Sequence, residues 1–181
     1  MTIKKTPLAS CVLIQPHVFK DQRGSFFESF NQQKFEQLYG KSVYFVQDNQ
    51  SISSYGTLRG LHFQQGEYAQ AKLVRVISGK VLDVVVDIRK DSPSFGQHHS
   101  VELSGENNLQ IFIPKGFAHG FVGLSEKVIF EYKCDAYYQP SAEGGIRFDD
   151  PDLNIDWKIP SEDMILSAKD QKLPLLNQLK L

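Results

Sequence analysis

A chain of 181 residues with 41% hydrophobic side chains is one domain's worth of sequence, long enough to bury a sizeable core. Its formal charge of −1 gives no general attraction to nucleic acid or to an anionic membrane surface, so an anionic ligand must be gripped by locally placed Arg and Lys. Cys11 and Cys134 lie far apart and form no CxxC pattern, which points to a reduced, cytoplasmic protein, and no run reaches the ~18 apolar residues of a membrane span.

In chain order, Cys11-Val12-Leu13-Ile14 is a short apolar segment. Leu8-Ala9-Ser10-Cys11 has the look of a lipoprotein cleavage site, but Pro7 and the few residues after Lys5 leave no room for a signal-peptide apolar region. Phe35, Leu38 and Tyr39 fall at i, i+3 and i+4 after Asn31, which predicts one short amphipathic helix. Predicted strands follow at 43–50, 58–63, 73–77, 81–89, 101–103, 109–114 and 128–134, all rich in β-branched and aromatic residues. Ser78-Gly79-Lys80 and Ser104-Gly105-Glu106-Asn107-Asn108 read as turns. Ser161 is a predicted cap for a second helix carrying Met164, Ile165 and Ala168. An all-β barrel or sandwich with short flanking helices, a single domain over 1–181, follows.

Strand alternation then sorts side chains by face. Gln47 and Asn49 share one side. Arg59 faces away from His62 unless the strand bends at Gly60. Leu82, Val84, Val86 and Ile88 form an apolar face, with Val81, Asp83, Val85 and Asp87 on the other. Tyr132 shares a side with Val128 and Phe130. The inner surface is therefore mixed, as a ligand site requires.

Two single histidines, His62 and His119, sit on hydrophobic β segments. Pro114-Lys115-Gly116-Phe117-Ala118-His119 has the PxGxxH form of the second cupin motif, but His62 is followed by Phe63-Gln64, so the HxH pair of cupin metal sites is missing. Adjacent His98 and His99 face opposite sides and do not replace it. No bound metal is expected. An Asp on one imidazole nitrogen fixes the tautomer and raises the basicity of the other, a role open to Asp170 or to Asp83. With Lys72 to hold an enolate oxygen and Tyr132 to return a proton, such residues suit proton abstraction beside a carbonyl.

The ordered segments Asp21-Gln22-Arg23-Gly24-Ser25-Phe26-Phe27-Glu28, Gln47-Asp48-Asn49-Gln50-Ser51, Leu58-Arg59-Gly60-Leu61-His62-Phe63-Gln64 and Gln70-Ala71-Lys72-Leu73-Val74-Arg75 resemble one family. Gly79 to Arg89, Ser92-Pro93-Ser94-Phe95-Gly96, Ile113 to Phe121 and Asp149-Asp150-Pro151 continue the match. The chain resembles the RmlC-like dTDP-4-dehydrorhamnose 3,5-epimerases of the cupin superfamily. That resemblance implies a jelly-roll fold and a cofactor-free inversion of C3 and C5 of dTDP-4-keto-6-deoxyglucose, toward dTDP-L-rhamnose. It implies His62 as base with Asp170 as partner, Tyr132 as acid, Lys72 on the C4 oxygen, and His119 with Asp83 along the sugar. Arg23 and Arg59 would take the diphosphate, Gln47, Asn49 and Glu28 the nucleotide, and Tyr138 would stack on thymine. Glu143 and Lys169 would be further substrate contacts. The resemblance also implies a homodimer whose Arg23 and Glu28 serve the neighbouring site. Epimerisation at C3 or C5 alone, or a non-catalytic sugar-nucleotide-binding cupin, are the alternatives.

Overall fold

The structure is a computed structural model, described here for residues 1–179. Thirteen strands run in chain order: β1 (Thr2–Lys5), β2 (Val12–Gln15), β3 (Phe19–Asp21), β4 (Gly24–Phe26), β5 (Gln47–Ser54), β6 (Leu58–Gln64), β7 (Lys72–Ser78), β8 (Lys80–Asp87), β9 (His98–Ser104), β10 (Gln110–Ile113), β11 (Phe117–Gly123), β12 (Lys127–Cys134) and β13 (Glu143–Gly145). Helix α1 (Gln32–Tyr39) lies between β4 and β5, and short 3₁₀ turns fill the remainder. One sheet has the order β1-β2-β10-β7-β12-β5 and faces a second, β13-β6-β11-β8-β9; β3 and β4 form a separate hairpin. The named pairings are antiparallel, and the two-sheet jelly-roll sandwich is that of a cupin.

Strand β8 shows how the sequence builds three layers. Its even residues Leu82, Val84 and Val86 pack outward with Leu153 and Trp157 of the C-terminal segment. Its odd residues Val81 and Val85 pack inward with Val74, Phe117, Phe121 and Phe130. Burial on both faces explains why Val81, Leu82 and Val84-Val85-Val86 are all apolar, and why Asp83 and Asp87, both fully buried, need dedicated partners. Asp87 finds them in Arg89, Ser92 and Ser94.

Helix α1 covers the outer face of the first sheet. The Asn31 side chain accepts from Lys34 N at its start, and Gly40, left-handed at φ 79°, closes its end. Phe35 is buried against Val12, Leu73 and Phe112. The strand predicted over 43–50 starts only at Gln47. Val43 and Phe45 do alternate inward, yet they pack beside α1, and the Val43 carbonyl accepts from the Gln32 side chain instead of from a neighbouring strand.

The second predicted helix does not form. Ser161–Asp163 makes one 3₁₀ turn, after which Ile165 bridges in parallel to Thr57 and exchanges backbone hydrogen bonds with Gly56 and Leu58. Met164 and Leu166 turn inward while Ile165 is exposed, a period of two. The open backbone at the start of β6 outcompetes a short helix there.

Candidate active site

Register places the polar residues on the inner walls of the sandwich. On the first sheet Tyr132 of β12 lies opposite Asn49 of β5 and Val74 of β7, and Cys134 lies opposite Gln47 and Lys72. Directly opposed residues share a face, so Gln47, Asn49, Ser51, Lys72 and Tyr132 all point inward. On the second sheet His62 of β6 pairs directly with His119 of β11.

Arg59 needs a break in alternation to join them, and β6 supplies one. His119 pairs with His62 and Phe121 with Arg59, so three steps on β6 match two on β11, a bulge centred at Gly60. A Cβ on Gly60 would meet the Cα of Gly120 at 2.5 Å, and its φ of +131° is open to glycine. The bend foreseen at Gly60 thus turns Arg59 to the same side as His62. Its Nε donates to Ser53 Oγ at 3.2 Å.

These side chains line a cavity of about 300 Å³ formed by Ser51, Arg59, His62, Lys72, His119, Phe121, Phe130, Tyr132, Ser167, Lys169 and Asp170. A larger groove of about 580 Å³ beside Tyr68, Ala69 and Ile88 has no comparable convergence of titratable groups, and its Arg89 is committed to Asp87. Chemistry, not size, selects the smaller cavity.

Two imidazole–carboxylate pairs stand in it. His62 Nε2 lies 2.7 Å from Asp170 Oδ1, and His119 Nε2 lies 2.8 Å from Asp83 Oδ2. Asp170 arrives from the C-terminal tail, where its amide donates to Ser167 Oγ at 3.0 Å. Asp150 fastens that tail by accepting from Leu176 N at 2.7 Å. The Lys72 ammonium is 5.7 Å from the Tyr132 ring centre and makes no ion pair among the described residues. Burial lowers the Lys72 pKa, against the upward pull of Cys134, Asp83 and Glu143. Burial raises that of Tyr132, against the Arg59 guanidinium, so the phenol keeps its proton.

At the mouth Glu143 accepts from Tyr138 Oη at 2.7 Å and pairs with Lys169 at 2.6 Å. Burial pushes the Glu143 carboxyl up, but Lys169 and Tyr138 outweigh it and the net shift is downward. The amide of Tyr138 donates to Gln47 Oε1, and Gln47 in turn donates to Asn49. Thus twelve of the fourteen sequence-derived site residues gather in or around one cavity: His62, Asp170, Tyr132, Lys72, Gln47, Asn49, Arg59, His119, Asp83, Tyr138, Glu143 and Lys169.

Arg23 and Glu28 are not brought to it. Arg23 projects from the β3–β4 hairpin with its side chain 85% exposed, held by Asp21. Glu28 pairs with Lys34 of α1. Conversely, Ser51 belongs to the cavity and was missed, although the alternation Gln47, Asn49, Ser51 predicts its direction. Its buried hydroxyl has no hydrogen-bond partner among the described residues. Among these residues no group of three or more His, Cys, Asp or Glu side chains is placed to hold a metal ion.

Residues 5–178 match the family described as dTDP-4-dehydrorhamnose 3,5-epimerase. The chain belongs to this family. A Salmonella typhimurium dTDP-4-dehydrorhamnose 3,5-epimerase is 55% identical over 98% of this chain and 97% of its own length. The crystal structure of the Elizabethkingia anophelis enzyme of that name superposes with a TM-score of 0.94 at 56% identity, covering 98% of this chain and 97% of that one. The Legionella pneumophila epimerase, solved in complex with dTDP-4-keto-L-rhamnose, also gives a TM-score of 0.94, at 48% identity with 98% and 94% covered. The family is one of isomerases, and the cupin sandwich described above is its fold.

Proposed function

We propose that this chain inverts C3 and C5 of dTDP-4-keto-6-deoxyglucose, the family's reaction, with His62 as base and Tyr132 as acid. The observation that carries the assignment is their placement on opposite walls. His62 stands on the second sheet and Tyr132 on the first, both lining the same cavity. A sugar ring between the walls presents one face to an imidazole and the other to a phenol, and inversion requires a proton to leave one face and return to the other.

The C4 ketone makes the protons on C3 and C5 removable. His62 takes the proton, its imidazolium stabilised by Asp170 at 2.7 Å. Electrons of the broken C–H bond flow into an enolate whose oxygen meets Lys72. A desolvated ammonium gains most when negative charge develops beside it, so Lys72 favours the enolate over the ketone. Tyr132, kept protonated, delivers a proton to the opposite face and regenerates the ketone. His119, backed by Asp83, lines the sugar. No cofactor enters the scheme.

A cavity of about 300 Å³ holds a hexose but not a nucleotide, so the remainder of the ligand crosses the mouth. There Arg59 and Lys169 supply cationic donors for diphosphate, Tyr138 an exposed ring for thymine, and Gln47, Asn49 and Glu143 polar contacts. We extend the proposal to a homodimer in which Arg23 and Glu28 serve the partner's site. Support comes from the β3–β4 hairpin, whose Phe19 and Phe26 are 60% and 73% exposed beside Arg23.

The reaction is tested by NMR of product formed in deuterium oxide. Deuterium at both C3 and C5 with double inversion is expected. Exchange at one carbon only rejects the two-carbon reaction in favour of a monoepimerase, and binding without exchange leaves a sugar-nucleotide-binding protein.

A further inference from the structure

The bond from His119 uses only one oxygen of Asp83. The carboxylate is fully buried, and its Oδ1 has no hydrogen-bond partner among the described residues. A carboxyl oxygen left bare inside a β-sandwich is costly, and the large majority of buried polar atoms are paired. A second bare atom lies on the adjacent strand. His99 Nε2 is buried and also without a partner among the described residues.

Register relates the two. Across β9, β8 and β11, Val85 is opposed by His99 on one side and by His119 on the other. All three side chains therefore face inward in one row. Asp83, two residues before Val85, is opposed by Val101 on β9 and Phe121 on β11. It is thus the diagonal neighbour of both histidines, and the diagonal to His119 is already closed at 2.8 Å. His99 stands in the mirror position, its Nε2 end turned into the interior. The titratable groups acting on this cluster from the surrounding elements are Lys72 of β7, Cys11 of the β1–β2 connection, and His98 beside His99.

We propose that His99 is a positioning residue that donates its Nε2–H to Asp83 Oδ1, directly or through one water, so that His99, Asp83 and His119 form one relay. With both carboxylate oxygens engaged, Asp83 cannot pivot away from His119, and His119 is held as the Nε2–H tautomer with a fixed ring orientation toward the sugar. The catalytic benefit rests on the epimerase reading above; the relay itself does not. His99 has no contact with substrate. Its neighbour His98 points to the opposite face of β9 and lies outside the row.

Nitrogen-15 NMR of the imidazoles in the substrate-free protein tests the relay independently of the reaction. His99 and His119 are both expected as Nε2–H tautomers. A bare Nε2 on His99, its proton residing on Nδ1, overturns the proposal. His99→Leu removes the donor, and His99→Gln retains an N–H at the same reach. The His119 ring signals are expected to become tautomer-averaged in His99→Leu and to regain the wild-type pattern in His99→Gln. On the substrate, kcat should fall by about tenfold in the first variant, with KM little changed, and recover in the second. A folded His99→Leu protein with an unchanged His119 ring contradicts the relay even if epimerisation proceeds normally. An inactive wild-type protein whose rings behave as described would sink the epimerase reading and leave the relay standing.

Discussion

The two imidazole–carboxylate pairs of this protein are built from the same parts and placed side by side, yet they differ in how they are held. His119 and Asp83 come from adjacent strands of one sheet, and their side chains are 6% and 0% exposed. His62 lies directly opposite His119, but its carboxylate comes from the tail 108 residues later, and the ring is 30% exposed. A pair made within a sheet is positioned by the register of its strands and lies almost wholly out of bulk solvent. A pair completed by a tail leaves the imidazole open toward the cavity, as a base that must touch substrate requires. The fold thus supplies one pair as wall and the other as tool.

Substitutions separate these two duties. After loss of the base itself, the largest effect is expected at Lys72, which lines the same cavity as both histidines. Lys72→Met should cost roughly 10²–10³-fold in kcat, since an electrostatic donor to the enolate is lost. The same variant should be more stable near neutral pH. Burial depresses the Lys72 pKa, so the folded protein binds fewer protons than the unfolded chain between the folded and unfolded values, and the cost of the charged form is relieved as pH rises through that window. Melting temperature measured against pH checks this: the gap between wild type and variant should narrow in alkali, and a lower melting point for the variant at pH 7 contradicts it.

Next come the carboxylates. Asp170→Ala should lower kcat by about 10²-fold and leave stability nearly intact, because its partner imidazole stays hydrated. Asp83→Ala should instead cost roughly 1–3 kcal/mol by leaving a buried imidazole unpaired. Urea denaturation of both variants reads the difference; equal losses of stability would erase the distinction drawn between wall and tool.

Asp87 extends the wall's logic to acid stability. Burial pushes its carboxyl up, but Arg89, Ser92 and Ser94 outweigh that and bring the pKa down to about 2. A depressed carboxylate contributes stability above its unfolded pKa and loses it as pH falls through the folded one, here from about pH 4 to pH 2. The contribution is about 2 kcal/mol. Asp87→Asn should flatten acid unfolding in that window, and an unchanged acid limb of the melting curve counts against it. The smallest effect is expected at Ser167, whose hydroxyl accepts from the Asp170 amide. Ser167→Ala should reduce kcat by a few-fold, roughly the loss of one hydrogen bond, with KM unaffected in steady-state assays.

The central strands were legible because burial on one or both faces writes itself into the side chains. β6, β7, β8 and β12 lie within a residue or two of their predicted bounds. The hairpin β3–β4 and strand β13, three residues each and held by pairing instead of burial, left no periodic trace. Tertiary competition misled the rest: Ile165 took the open edge of β6, and Val43 took α1. Within the site, alternation alone placed Gln47, Asn49, Asp83 and Tyr132. Arg59 depended on a bulge that only Gly60 hinted at, and Asp170, which opens a 3₁₀ turn in the tail, was a candidate imidazole partner by its carboxylate alone until the family resemblance tied it to His62. Ser51 followed from the same alternation and was overlooked because a serine does not stand out in a polar strand, whereas His99 stood out only as a metal-ligand candidate.

The claim that His62 is the base is tested most directly by deuterium wash-in. Wild type and His62→Ala are incubated with dTDP-4-keto-6-deoxyglucose in deuterium oxide, and C3 and C5 are followed by NMR, with dTDP binding measured in parallel. The account predicts no exchange at either carbon in the variant, while dTDP binding is largely kept. Wash-in at the wild-type rate in His62→Ala would contradict it.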